Sequence, residues 1–168
     1  ANFLAGVQHL HSLGVTAWVD PAAGRGILSL YRALASQGQL HSRVAAFVPL
    51  NPGSSRLDPA RLPQVLALQK EFSAVPGLSV LGAKVFADGV AEFPTQSAAF
   101  SAPYRNSSQH ASLLFDPAQF AELCVAATRS QLAVHVHAIG DRAVSASLDG
   151  FAAARAAFPN HRLPHTIA

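Results

Sequence analysis

His135 and His137 lie two residues apart in the run Leu-Ala-Val-His-Val-His-Ala-Ile-Gly-Asp (132–141), an apolar β-type stretch that ends in a turn. Side chains alternate across a strand, so the two imidazoles share one face and Val134 and Val136 the other, with His137 nearer the C-terminal end. In a parallel α/β protein that end is where sites are built. Lys84 and His165 fall at the corresponding ends of two further predicted strands. A divalent ion takes imidazole nitrogen and anionic oxygen from several elements and keeps one position open for water, an arrangement that neighbouring strand ends can supply. Singly, a strand histidine is more often a hydrogen-bonded core residue and a lysine a snorkelling one. The coincidence of Lys84, His137 and His165 across three strands is what points to a metal centre.

Apolar periodicity predicts the elements that hold these residues. Leu4, Val7 and Leu10 keep helical spacing, with Asn2 as cap and Gly14 as stop; a β-branched, aromatic strand over 15–19 follows and breaks at Asp20-Pro21. A helix with Ile27, Leu30, Tyr31 and Leu34 inward leads to a strand over 43–49. Asp58 and Pro59 then open a helix as N-cap and first residue, with the stripe Leu62, Val65, Leu66, Gln69 and Phe72, and Pro76-Gly77 stops it before a strand over 79–86. Residues 88–115 show little periodicity, as in a lid or binding loop. Phe115-Asp116-Pro117 restarts a helix with Phe120, Leu123, Cys124 and Ala127 inward. After the histidine strand, Asp141 is expected to cap a helix over 142–158 whose stripe is Val144, Leu148, Phe151 and Phe158, and a strand runs over 162–167. A leading helix and about five strands alternating with helices predict an α/β domain over 1–168 with a parallel sheet.

Composition narrows the function. Only 12% of residues are charged and the formal charge is +3, so the arginines are scattered and no basic, aromatic-interleaved groove for nucleic acid exists. No apolar run reaches the ~18–20 residues that cross a bilayer, and the N-terminus lacks a signal-type stretch, so a soluble, reducing, cytoplasmic setting is expected. Cys124, the single cysteine, sits at an apolar helix position and reads as core filler. Phosphate-cradling glycine loops are missing. Absence of any methionine, even at position 1, suggests that the chain starts inside a longer protein. Asn106-Ser107-Ser108 matches a glycosylation acceptor, taken as chance without a secretory signal.

Longer stretches carry a resemblance. Lys84-Val85-Phe86-Ala87-Asp88-Gly89-Val90, with Pro94-Thr95-Gln96-Ser97-Ala98-Ala99-Phe100 and Pro103-Tyr104, resembles a segment of the YtcJ-like amidohydrolases of the metal-dependent hydrolase superfamily. His135-Val136-His137-Ala138-Ile139-Gly140-Asp141-Arg142-Ala143-Val144 is similar to that family's fifth-strand signature, and His161-Arg162-Leu163-Pro164-His165 to its sixth-strand ending. Gly14-Val15-Thr16 with Asp20 is similar to its second strand. The resemblance implies a partial (β/α)8 TIM barrel, about strands two to six, in which His137 and His165 ligate one or two divalent ions, zinc by preference. Lys84 falls where relatives carry a lysine, often carboxylated, that bridges two metals; burial favours the neutral amine a carbamate needs. His135 would stand behind the ligands, and Asp141 would be a helix cap. The implied reaction is hydrolysis of an amide or other non-peptide C–N bond in a small molecule by metal-activated water.

The departures are equally informative. The family's first-strand His-x-His pair has no counterpart before Gly14, its eighth-strand aspartate has none after Ala168, and Pro164 replaces an acidic residue. A whole barrel takes ~250 residues, so the 168 here are expected to be the middle of an enzyme, incomplete alone and oligomeric or supported by the missing segments. The loop over 88–115 would cover substrate, with Phe93, Phe100 and Tyr104 either touching it or pinning the loop. Two other readings compete: a non-catalytic α/β fragment or pseudoenzyme serving as a packing or interaction module, and a metal-free aldolase using Lys84 as a Schiff-base amine.

Overall fold

The computed structural model describes residues 2–51, 55–105, 107–108 and 110–168; Asn106 of the glycosylation-like triplet lies outside them. Helices alternate with five parallel strands, β1 (Ala17–Asp20), β2 (Arg43–Pro49), β3 (Leu78–Phe86), β4 (Ala133–His137) and β5 (Thr166–Ile167), which lie in that order across the sheet. The chain divides into two compact units, and β3 (Leu78–Phe86) contributes its first half to one and its second half to the other.

The first unit holds α1 (Asn2–Ser12), β1 (Ala17–Asp20), α2 (Arg25–Ser36), β2 (Arg43–Pro49), residues 63–72 of α3 (Leu62–Phe72) and the start of β3. β1 and β2 pair in parallel, Ala17 opposite Arg43 through Asp20 opposite Ala46. Asn2 is already helical, and Gly14, at φ +76°, ends the turn after α1. Leu28, Tyr31 and Leu34 are the buried face of α2, whereas Leu30 is exposed. The Tyr31 hydroxyl explains the choice: it accepts from Trp18 Nε1 at 3.1 Å and donates to Asp20 Oδ2 at 2.9 Å, fixing the helix's rotation. Gly77 turns the chain into β3 at φ +79°, where a Cβ would lie 2.7 Å from the Ser42 carbonyl.

The second unit contains the segment 50–62, the rest of β3, α4 (Pro117–Arg129), β4 (Ala133–His137), α5 (Asp141–Ala157) and β5 (Thr166–Ile167). Asp58 caps a single 3₁₀ turn (Pro59–Arg61) ahead of α3, accepting from Ala60 N at 3.0 Å. Asp116 caps α4 through Ala118 N and Gln119 N, and Phe120, Leu123, Cys124 and Ala127 point inward as their spacing predicts. Burial pushes the Cys124 thiol up to about 12, so it is inert packing.

α5 departs from its expected face. Its buried residues are Ala143, Ala146, Ser147, Gly150 and Ala154, while Leu148 is 54% exposed. The cause is close approach to α4: a Cβ on Gly150 would sit 2.5 Å from the Phe120 ring, so only small residues fit the seam. Asp141 is not the cap either. Gly140 occupies that position, and Asp141, in the first turn, accepts from Ser101 N at 2.7 Å. No described helix is long and apolar enough to cross a membrane.

Candidate functional site

Lys84 and Phe86 alternate onto one face of β3, as His135 and His137 do on β4. The Lys84 ammonium lies 5.1 Å from the centre of the Phe86 ring, and that ring is 5.5 Å from His137. Lys84 is 4% exposed, and among the described residues no carboxylate forms an ion pair with it. Burial lowers its pKa to about 8. Burial, then the Lys84 charge, lowers that of His135, whose Nδ1 is 2.6 Å from Thr166 Oγ1 on β5.

His137 is held from two directions. Its Nε2 lies 2.7 Å from the Gly89 carbonyl, which can only accept, so Nε2–H donates there and, whenever the ring is neutral, the lone pair is on Nδ1. That is how metal-binding imidazoles are usually oriented, the second nitrogen donating to a backbone carbonyl or carboxylate. Asp88 supplies the other hold. Its buried carboxylate accepts from Ala99 N at 2.8 Å, Ile139 N at 3.1 Å and Gly140 N at 2.8 Å, and Oδ1 is 3.9 Å from His137 Nε2. One side chain thus ties the exit of β3 to the loop and to the turn after His137. Neither glycine beside it admits a side chain: a Cβ on Gly89 would meet Ser97 Oγ at 2.0 Å, and one on Gly140 the Ala99 carbonyl at 2.2 Å. Asn51 does similar work at Phe86, accepting from its N–H and donating to its C=O, both at 2.9 Å, as an adjacent strand would.

Sequence reading singled out neither Asp88 nor Asn51 as a site-building residue. Asp88-Gly89 directly after a strand was the available signal, a carboxylate that can enter a turn followed by a residue needing no side-chain room.

His165 is placed elsewhere. β5 begins one residue after it, and Thr166 pairs in register with His135, so Thr166 takes the face shared with His135 while His165 turns toward α4 and α5. Thr128 Oγ1 donates to the Cys124 carbonyl at 2.7 Å and accepts from His165 Nε2 at 3.0 Å; His165 Nδ1 accepts from Val134 N at 3.0 Å. Both ring nitrogens are used, and Phe151 stacks at 5.0 Å. Burial, then His161 and Arg155, lowers the pKa to about 4, so the ring is neutral. The fold therefore brings Lys84, His135 and His137 to one face and leaves His165 on the other. Among the described residues no three His, Cys, Asp or Glu side chains form a metal-binding group.

In the long loop, Phe93 is 77% exposed. Phe100 and Tyr104 pack edge to face at 5.4 Å, and the Tyr104 hydroxyl accepts from Ala98 N at 3.1 Å, so this pair pins the loop.

The profile of the Amidohydrolase family matches residues 2–168. The chain belongs to the amidohydrolase family. Two solved structures agree with that membership. An uncharacterized metal-dependent hydrolase from Pyrococcus horikoshii OT3 is 25% identical with a TM-score of 0.70, covering 89% of this chain and 29% of its own. One from Pyrococcus furiosus is 27% identical with a TM-score of 0.72, covering 90% and 30%. This amidohydrolase chain therefore spans about three-tenths of those proteins' length, and its fold is that of a partial (β/α)8 barrel of the metal-dependent hydrolase type. No curated protein matches it.

Proposed function

We propose that this chain forms part of a metal-dependent hydrolase acting on an amide or other non-peptide C–N bond of a small molecule. The observation that carries the reading is the 2.7 Å contact of His137 Nε2 with the Gly89 carbonyl at the C-terminal end of a parallel strand, which directs the lone pair of the neutral ring to Nδ1. A divalent ion, zinc by preference, supplies a Lewis acid and an acidified water when bound. His137 Nδ1 is the assigned ligand on this chain. Lys84 shares its face, and a pKa of about 8 gives more neutral amine near pH 7 than an ordinary lysine has. That amine adds carbon dioxide, releasing a proton, to become a carbamate oxygen donor. His135 holds Thr166 and stands behind Lys84. His165 could join the set only by giving up Thr128 and Val134 and crossing to the opposite face, so the proposal rests on His137 and Lys84.

Metal analysis tests this on the zinc-reconstituted full-length protein, comparing wild type with His137→Asn and Lys84→Met. Stoichiometric zinc in wild type and its loss in both variants are expected. In the metal-free protein, Lys84→Met should keep or raise the unfolding midpoint, since it removes a buried amine that has no ion-pair partner among the described residues. Unchanged zinc in both variants, or no zinc in wild type, would sink the assignment.

A further inference from the structure

His137 lines a cleft of about 500 Å³ between the end of β3 and the long loop. Phe86, Val90 and Leu114 supply apolar wall, and Gln96 and Ser112 its polar edge. Two ionisable groups are found among its described lining residues, Asp88 and His137. The Asp88 side chain is fully buried and spends its oxygens on backbone N–H groups, so it offers nothing to a ligand. Arg142 stands behind the wall, with Nη2 donated to the Ala111 carbonyl. In the metal-free cleft a carboxylate or ammonium would lose its water and meet no opposite charge among the described side chains that line it, whereas an aryl or alkyl group would gain apolar contact. The polar edge is also held in an uncommon conformation. Gln96 has φ +43°, imposed by its own N–H on the Glu92 carbonyl at 2.9 Å and Ser97 N on the Val90 carbonyl at 2.8 Å. Non-glycine residues persist there where the surroundings impose it, often at ligand clamps.

We infer that this cleft is a specificity pocket for an uncharged, predominantly apolar substituent of the scissile amide, excluding substituents that carry a carboxylate or ammonium. The inference rests on the hydrolase reading for what is cleaved, but the binding preference can be measured separately. Three probes of one shape suffice: acetanilide, its anionic relative 4-acetamidobenzoate, and the cationic 4-(aminomethyl)acetanilide. Their affinities for the metal-free full-length protein, in which the carboxylate has no cation to bind, are read by calorimetry or ligand-observed NMR, and release of the aryl amine from each probe by the zinc-loaded protein is followed in parallel.

Acetanilide should bind at least about tenfold tighter than either charged probe. Val90→Lys, at a position already 39% exposed and so tolerant of substitution, should bring 4-acetamidobenzoate level with acetanilide or ahead of it. Equal or tighter binding of a charged probe to wild type, no binding of acetanilide at millimolar concentration, or a preference untouched by Val90→Lys would overturn the pocket. Preferential binding without any aniline release would leave the pocket standing and remove the hydrolase reading. Release of the corresponding aryl amine from all three probes at equal efficiency would do the reverse.

Discussion

His137 and His165 are the same residue type, assigned by spacing to the same kind of position, and the fold treats them in opposite ways. Around His137, backbone and carboxylate oxygens converge: the Gly89 carbonyl accepts from the ring N–H, and Asp88 fastens the turn that follows. Among the described residues its Nδ1 has no hydrogen-bond partner, and the ring lies on the face that Lys84 shares. Around His165, a threonine and a backbone N–H use both nitrogens, Phe151 covers the ring, and the imidazole acts as mortar between β4 and the helices. Imidazole becomes a candidate ligand only where one nitrogen is tied down and the other is not. Strand face decides which case applies, and it changes with every residue.

Removing the anchor on the His137 side should have the largest effect. Asp88→Ala strands three backbone donors in a buried place, those of Ala99, Ile139 and Gly140. Hydrogen bonds to a charged acceptor contribute about 1.5–3 kcal/mol each, so losing all three should cost roughly 4.5–9 kcal/mol in urea unfolding. Asp141→Ala, which removes an exposed carboxylate from Ser101, is the matched control and should cost far less. If the two variants unfold at the same urea concentration, Asp88 is not the anchor and the contrast between the two histidines loses its basis.

A smaller effect is expected in the scaffold behind His165. Gly150→Ala drives a methyl into the Phe120 ring at the α4–α5 seam, and overpacking of this kind costs about 1–3 kcal/mol. Leu148→Ala, on the outer side of α5, should change stability by less than about 0.5 kcal/mol. The reverse order would restore the face that helical spacing alone suggests.

That pair also shows what the sequence could and could not disclose. The bounds of β2, the Asp116 cap and the inward residues of α4 are local properties, set by a few neighbouring side chains, and they were legible. So were the shared face of His135 and His137 and the family of the chain. The face of α5 was not, because Phe120, on another helix, dictates it. Asp88 and Asn51 were illegible as anchors for a related reason: Asp88 serves N–H groups 51 and 52 residues away, and Asn51 serves Phe86, 35 residues away. His165 turned on a one-residue matter, the pairing of Thr166 with His135, which no periodicity in so short a strand can fix.

The smallest effect expected is a pH dependence confined to the His165 side. Its folded pKa of about 4 lies below the ordinary value of 6.5, so between those limits the unfolded chain binds more protons than the folded one. Stability from this group is complete above pH 6.5, declines as pH falls toward 4, and changes no further below that. The ring is part exposed and water screens its charge, so the loss is on the order of 1 kcal/mol. His165→Gln provides the comparison, because its amide can donate to Thr128 and accept from Val134 without titrating. Urea midpoints measured from pH 7 to pH 4 should fall more steeply for wild type than for His165→Gln. Parallel curves would mean that His165 titrates like an exposed histidine, free to turn, and the distinction drawn between it and His137 would collapse.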